Sequence, residues 1–159
     1  MSTHDDLLRQ IDELAAEAAD TKTLMQRLSD HVHSVMPRYN SVSFRFIDAA
    51  NPGMLILGPY TGSFTPQRRL AFGQGLCGTA AATEKTVVVN NVGSDGRYVQ
   101  ASSMVKSEMV VPIFVNGKFA AEIDVQSYFT ETFKDADQSF LQSCAKIVGK
   151  FMEDHRTRE

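Results

Sequence analysis

The sequence reads GQGLCGTAA at residues 73–81, SEMVVPI at 107–113 and EIDVQS at 122–127, and these three stretches decide the fold. The first predicts a sharp glycine turn followed by a short helix of small residues that begins near Cys77. The other two predict strands in which Glu108 and Asp124 stand among apolar neighbours. We expect the three stretches to meet at one small pocket.

Six short strands are predicted in all. Between residues 41 and 47 apolar and polar side chains alternate, which predicts a half-buried strand. Asn116-Gly117 separates two apolar runs and is typical of a tight hairpin, because both turn positions tolerate positive φ. Asn51-Pro52-Gly53 predicts a turn between the first two strands. The predicted strands are Ser41–Ile47, Met54–Tyr60, a short strand ending at Phe72, Lys85–Val89, Met109–Val115 and Phe119–Val125.

Helices are predicted at both ends of the chain. Apolar residues recur at helical spacing over residues 3–36, with a break at which Asp20 or Thr21 caps a second segment, and Pro37 ends that segment. Residues 135–153 form a closing amphipathic helix with Cys144 on its apolar stripe, and Leu76–Thr83 is the short helix.

These elements predict an α+β fold with a central antiparallel sheet of about six strands. The N- and C-terminal helices lie on one face of the sheet, and the short helix and the long loop Asn90–Lys106 cover a pocket on the other. We expect a single domain over residues 21–155, preceded by an N-terminal helical extension over residues 1–20.

Composition narrows the possible partners of the chain. The net charge of −3 is spread over 159 residues and leaves no basic face for nucleic acid. No stretch approaches the length of a membrane span, so we expect a soluble, cytoplasmic protein. The two cysteines lie far apart and predict no disulfide. No metal site or cofactor is expected, because every histidine lies in a terminal helix, away from both cysteines: His4, His31, His33 and His155.

Together with NSVSFRF at residues 40–46 and LGPY at 57–60, the three opening stretches closely resemble the GAF-domain family of free methionine-(R)-sulfoxide reductases. The resemblance spans roughly residues 20–153. It implies a mixed α+β domain, a homodimer, and a substrate held under the long loop against the sheet.

The resemblance also implies departures from the family's chemistry. Counting back from Ser107-Glu108, Ala101 stands at the position of the attacking cysteine, and Ser102 replaces the acid that follows it. Cys77 aligns with a cysteine that resolves rather than attacks. Gln126 replaces the second acid of an Asp-x-Asp pattern, and the tryptophan expected beside Asn40 is Ser41.

Several of the candidate pocket residues have two possible roles. Cys77 is either a thiolate favoured by the helix N-terminus or an inert packing residue. Glu108 either lines the pocket or pairs with a surface lysine, and Asp124, on one face with Glu122 and Gln126, faces either the pocket or solvent. The tyrosines could equally be packing residues. The candidates are Cys77, Glu108, Asp124, Gln126, Tyr60, Tyr98, Ala101 and Ser102.

Three functions are compatible with these features. The leading hypothesis is a non-catalytic GAF domain that binds a small polar, amino-acid-like metabolite beneath the loop, as a sensor or regulatory module. The alternative is a free methionine-(R)-sulfoxide reductase that uses Cys77 with an external thiol reductant. The third is a dimerisation module. The small-molecule ligand and a homodimer formed through the terminal helices are the expected partners.

Overall fold

The computed structural model describes residues 2–155, and within them a six-stranded antiparallel sheet forms the centre of the fold. The strands are β1 Ser41–Asp48, β2 Asn51–Gly62, β3 Arg69–Ala71, β4 Val87–Val89, β5 Ser107–Val115 and β6 Lys118–Ser127. The strand order is β3-β2-β1-β6-β5-β4, so β1 and β6 lie in the middle. The predicted α+β class and strand number are confirmed.

Four α-helices accompany the sheet within the described residues. The predicted break near residue 20 is confirmed, and Asp20 caps the second helix by accepting a hydrogen bond from the Thr23 N–H. The helices are α1 Thr3–Glu17, α2 Thr21–Val35, α3 Gly75–Thr83 and α4 Asp135–His155, and a single 3₁₀ turn spans Val92–Ser94. None of these helices is both long and apolar enough to cross a membrane.

The two faces of the sheet carry different layers. Apolar side chains of α1, α2 and α4 pack against one face in the larger cluster, which includes Cys144. On the other face, α3 and the loop after β4 form a smaller cluster that includes Cys77. The predicted division of the layers is confirmed, and it places the two cysteines on opposite sides of the sheet.

Two local predictions are wrong. Asn51-Pro52-Gly53 begins β2, and the turn falls at residues 49–50, because the Asp48 carboxylate accepts a hydrogen bond from the Ala50 N–H and closes the chain earlier. β1 is not half-buried in its first five residues: Ser43 and Arg45 on its polar face are as buried as its apolar face. Alternation identifies the two faces of a strand but not what covers them.

Helix α1 contributes directly to the larger cluster. Leu7 and Ile11 are 1% and 0% exposed and pack with side chains of α2 and α4. Ser2 caps the helix in a reciprocal arrangement with Asp5, which fixes its start. The division of the chain at residue 20 into extension and domain stays a prediction.

Ile11→Ala tests whether α1 is needed for the stability of the whole domain. We expect the free energy of unfolding in urea to fall by about 2–5 kcal/mol, because the substitution leaves a cavity in a fully buried cluster. Glu13→Ala on the exposed face of the same helix is the control and should change it by less than about 0.5 kcal/mol. Equal midpoints for the two variants would show that α1 is a dispensable extension.

Candidate functional site

A glycine turn brings Cys77 onto the polar face of the sheet. Gly75 adopts a φ of +67°, which favours glycine at the start of α3. Gly78 lies so close to β3 that an added Cβ would stand 2.3 Å from the Ala71 carbonyl oxygen. The glycine at position 78 lets α3 pack directly on β3, and the adjacent Cys77 is only 3% exposed.

The strand register places four charged side chains beneath α3. Glu122 lies opposite Arg45 across β1 and β6, whereas Asp124 pairs with Val110 and Glu108 with Gln126 across β5 and β6. All of them are buried. The predicted shared face of Glu122, Asp124 and Gln126 is therefore the covered face and not the solvent face.

Hydrogen bonds satisfy only part of this cluster. The Gln126 amide donates to Asp124 Oδ2 at 3.2 Å, and the Cys77 thiol lies 3.9 Å from Glu108 Oε2 as a weak donor. Asp124 Oδ1 and both carboxylate oxygens of Glu122 have no hydrogen-bond partner among the described residues. Buried polar groups normally have partners, so three unpaired oxygens in one cluster are unusual.

Arg45 supplies the positive charge of the site. Its Nη1 donates to the Gln67 carbonyl oxygen, while its Nε has no hydrogen-bond partner in the described chain. Although burial acts against the charged form, nearby Cys77 and Asp124 raise the pKa of the Arg45 guanidinium. Arg45 therefore stays charged in the interior of the domain.

The electrostatic surroundings disfavour a thiolate at Cys77. Burial, followed by the nearby Asp124 and Glu122 carboxylates, raises the pKa of Cys77 well above its usual value. Burial and the nearby carboxylates thus oppose the lowering that the start of α3 would cause. Burial and the neighbouring Asp124 carboxylate likewise raise the pKa values of Glu108 and Glu122.

The loop Asn90–Lys106 closes the site. A small cavity of about 10 Å³, room for about one water molecule, lies beneath it, bounded by Cys77, Glu108, Asp124, Gln126 and Arg45 and, from the loop, by Val99 and Ala101. Gln67 ties the loop down by donating from its amide to the Gln100 carbonyl oxygen at 2.8 Å. The polar groups are buried under this cover, and the closed cavity has no room for a larger molecule unless the loop moves.

The remaining predicted site residues lie at different distances from the cavity. The Tyr98 hydroxyl is buried without a partner, and burial, followed by nearby Glu108 and Asp124, raises the pKa of Tyr98, so it belongs to the same surroundings. Tyr60 contacts Thr65 through its hydroxyl, and Ser102 accepts a hydrogen bond from the Met104 N–H. Neither Tyr60 nor Ser102 lines the cavity.

Sequence reasoning did not select Arg45, Glu122 and Gln67 as site residues. The alternation in β1 and β6 placed Arg45 and Glu122 on polar faces of their strands, and this alternation was the only signal that could have pointed to them. It could not show that these faces are covered. Gln67 belongs to the segment between β2 and β3, and nothing in its local pattern connects it to Arg45 or to the loop.

The fold also assembles a set of ligating atoms that sequence spacing did not predict. One atom each of Cys77, Glu108 and Asp124 lie within 4.8 Å of one another, and such groups could hold a divalent cation. The Arg45 guanidinium interacts electrostatically with both Cys77 and Asp124, and it adds a positive charge beside these ligating atoms. This charge opposes a metal ion and favours a ligand that also offers an acceptor.

Comparison with known proteins identifies the family. The family model of the GAF domain matches residues 13–151, and the chain belongs to the GAF-domain family. The free methionine-R-sulfoxide reductase of Saccharomyces cerevisiae is 38% identical over 112 residues, which are 70% of this chain and 62% of that protein. The chain thus spans less than two thirds of the yeast protein's length. Protein YtsP of Bacillus subtilis is 28% identical over 144 residues, which are 91% of this chain and 87% of YtsP.

Solved structures show the same relationship in three dimensions. The X-ray structure of free methionine-R-sulfoxide reductase from Neisseria meningitidis, in complex with its substrate, superposes with a TM-score of 0.92 at 29% identity. The match covers 98% of this chain and 92% of that one. The similarity to free methionine-R-sulfoxide reductases that the sequence motifs indicated is therefore confirmed.

The raised pKa of Cys77 predicts a slow thiol. In a Cys144→Ala variant, which leaves Cys77 as the remaining thiol, we expect iodoacetamide to react at pH 7.5 at least about 10-fold more slowly than with glutathione. Mass spectrometry of the alkylated protein measures the rate, and the same variant unfolded in urea is the control. A rate above that of glutathione would mean that Cys77 is an activated thiolate.

The raised pKa of Glu122 predicts a pH-dependent stability. A carboxyl whose pKa is higher in the folded state keeps its proton above pH ~4.3, whereas the unfolded chain releases it, so this contribution to stability is lost as pH rises. Glu122→Gln removes that loss. We expect the variant to gain stability relative to the parent between pH 5 and pH 8, by at most about 1.4 kcal/mol per pH unit.

Urea unfolding at both pH values measures this difference, and Glu13→Gln at an exposed position is the matched control. A Glu122→Gln difference that stays constant with pH would show that the carboxyl is ionised in the folded protein.

Proposed function

We propose that this chain is a non-catalytic GAF domain that binds a small polar, amino-acid-like metabolite in the cavity beneath residues 90–106. The observation that carries the proposal is Asp124, which is fully buried and borders the cavity, and whose Oδ1 accepts no hydrogen bond of ordinary length from the described residues. A ligand ammonium group would donate to this oxygen and to Glu108, and would remove the penalty of leaving a buried acceptor unpaired.

The properties of the thiols support binding rather than catalysis. Reduction of a sulfoxide by cysteine needs a thiolate that attacks and a second thiol that resolves the product as a disulfide. Burial and the nearby carboxylates raise the pKa of Cys77, and Cys144 belongs to the apolar cluster on the other side of the sheet. The resemblance puts the family's attacking cysteine at Ala101, which borders the cavity.

The loop offers a route from binding to a signal. It is tied at Gln100 through Gln67, and the Asn90 side chain exchanges two hydrogen bonds with the Phe133 backbone, at 3.0 and 3.1 Å. Val99 packs on Gly75 at the start of α3. Because the loop must open and close for a ligand to bind, its position reports occupancy, as a sensor or regulatory module requires.

One observation favours a second candidate function. The Neisseria meningitidis reductase, which superposes over nearly the whole chain, was solved with its substrate. A free methionine-(R)-sulfoxide reductase that uses Cys77 and an external thiol is therefore the alternative. It would require the external thiol to reach a side chain that is 3% exposed.

Two assays on the purified chain separate the functions. Thermal unfolding with the free amino acids and methionine-(R)-sulfoxide should reveal at least one ligand that raises Tm by about 5 °C or more at roughly 100 times its Kd. Incubation with methionine-(R)-sulfoxide and dithiothreitol, followed by chromatography, should show no loss of the sulfoxide.

The cysteine variants provide the matched controls. Turnover that disappears in Cys77→Ala and persists in Cys144→Ala would establish the reductase and overturn the proposal. Failure of every tested ligand to raise Tm would overturn the binding function itself.

A further inference from the structure

Arg45 is a charged side chain that the fold buries without fully using it. It lies on central strand β1, is 1% exposed and borders the cavity. A guanidinium carries five N–H donors in a planar fork. One nitrogen, Nη1, donates to the Gln67 carbonyl oxygen, and Nε has no partner among the described residues. Leaving such a donor unpaired in the interior is unfavourable.

The carboxylates of the cluster do not compensate for this donor. Across residues 2–155, no ion pair within 4.0 Å joins Arg45 to an acidic side chain, although Glu122 is its register partner on β6. Asp124 borders the same cavity, and its Oδ1 is a buried acceptor without a hydrogen bond of ordinary length. The residues that line the cavity therefore include one donor and one acceptor that the chain leaves unsatisfied.

We infer that Arg45 is a specificity-determining residue that binds an anionic oxygen group of the ligand, so that the site selects molecules carrying a carboxylate as well as a cationic nitrogen. This inference rests on the proposed function and assigns the two ends of the ligand. The carboxylate accepts hydrogen bonds from Arg45, and the cationic nitrogen donates to Asp124.

The charge balance of the cavity agrees with a zwitterion. The raised pKa values of Glu108 and Glu122 favour their neutral forms, so these two side chains contribute little negative charge against the Arg45 guanidinium. A zwitterion adds no net charge to the cavity and offers a hydrogen-bond partner to both Arg45 and Asp124. A simple amine would leave the guanidinium unpaired, and a simple carboxylic acid would leave Asp124 unpaired.

The position of Arg45 is fixed before the ligand arrives. The backbone carbonyl of Gln67 accepts a hydrogen bond from the guanidinium, and the side-chain amide of Gln67 donates one to the Gln100 carbonyl oxygen in the loop. The same residue thus holds both the arginine and the cover of the cavity. A ligand carboxylate bound to Arg45 lies next to this connection, where closure of the loop shields the ion pair from water.

The test compares probes that differ by one charged group. The probes are the free amino acid with the largest effect in thermal unfolding, its decarboxylated amine, and its deaminated carboxylic acid. Calorimetry on the intact chain should give a Kd for the amino acid about 10- to 100-fold below that of the amine, because a charge-assisted hydrogen bond is lost. The carboxylic acid should bind weakly as well, because it leaves Asp124 unpaired.

Variants assign the effect to the arginine. In Arg45→Met the preference for the amino acid over the amine should fall to within about 3-fold. Arg45→Lys should retain part of this preference, because the lysine ammonium group is still a positive charge. Arg69→Met, at an exposed arginine on β3 that pairs with Asp48, is the matched control and should keep the full preference.

The outcomes distinguish this inference from the proposed function. An amine that binds the parent chain as tightly as the amino acid overturns the role of Arg45 and leaves the binding function standing. The same conclusion follows from an Arg45→Met variant that keeps the full preference. If none of the three probe classes binds, the proposed function fails and the inference falls with it. The parent-chain comparison decides the question even if Arg45→Met does not fold.

Discussion

The close contact between α3 and β3 is the constraint on which the site depends. Gly78 approaches the Ala71 carbonyl so closely that an added side-chain carbon would overlap it. This contact lays α3 over β5 and β6 and helps to convert what would be a solvated polar face into an interior. Without that cover, Arg45 and Asp124 would be ordinary hydrated surface residues with no unmet hydrogen bonds.

Burying these groups opposes folding, and the other face of the sheet must offset it. An unpaired buried charge or acceptor costs up to several kcal/mol, which is comparable to the net stability of a typical domain. The apolar cluster of α1, α2 and α4 supplies the compensating burial. The two faces of one sheet thus have separate tasks: one stabilises the fold, and the other holds groups whose partners are expected to come from a ligand.

Local sequence determines the parts of this fold that depend on local rules. Asn116-Gly117 adopts the positive φ values of a tight hairpin, and Asp20 caps α2, because these outcomes need only neighbouring residues. The buried state of Arg45 depends on a helix that lies 30 or more positions later in the chain, and no pattern in β1 encodes it. The motifs located Cys77, Glu108 and Asp124, but the unpaired Asp124 Oδ1 became visible only when the strands were in register.

The behaviour of Cys77 follows from a comparison of magnitudes. The start of a helix favours an anion by about 0.3–1 kcal/mol, and α3 is only nine residues long. Desolvation of a buried charge costs several kcal/mol, and the nearby Asp124 carboxylate adds repulsion. Desolvation and repulsion together outweigh the effect of the helix, so the pKa of Cys77 rises although the cysteine lies at a position where a helix would lower it. A thiol in this fold becomes a nucleophile only if the surrounding charges favour its anion, and in this chain the carboxylates beside Cys77 disfavour it.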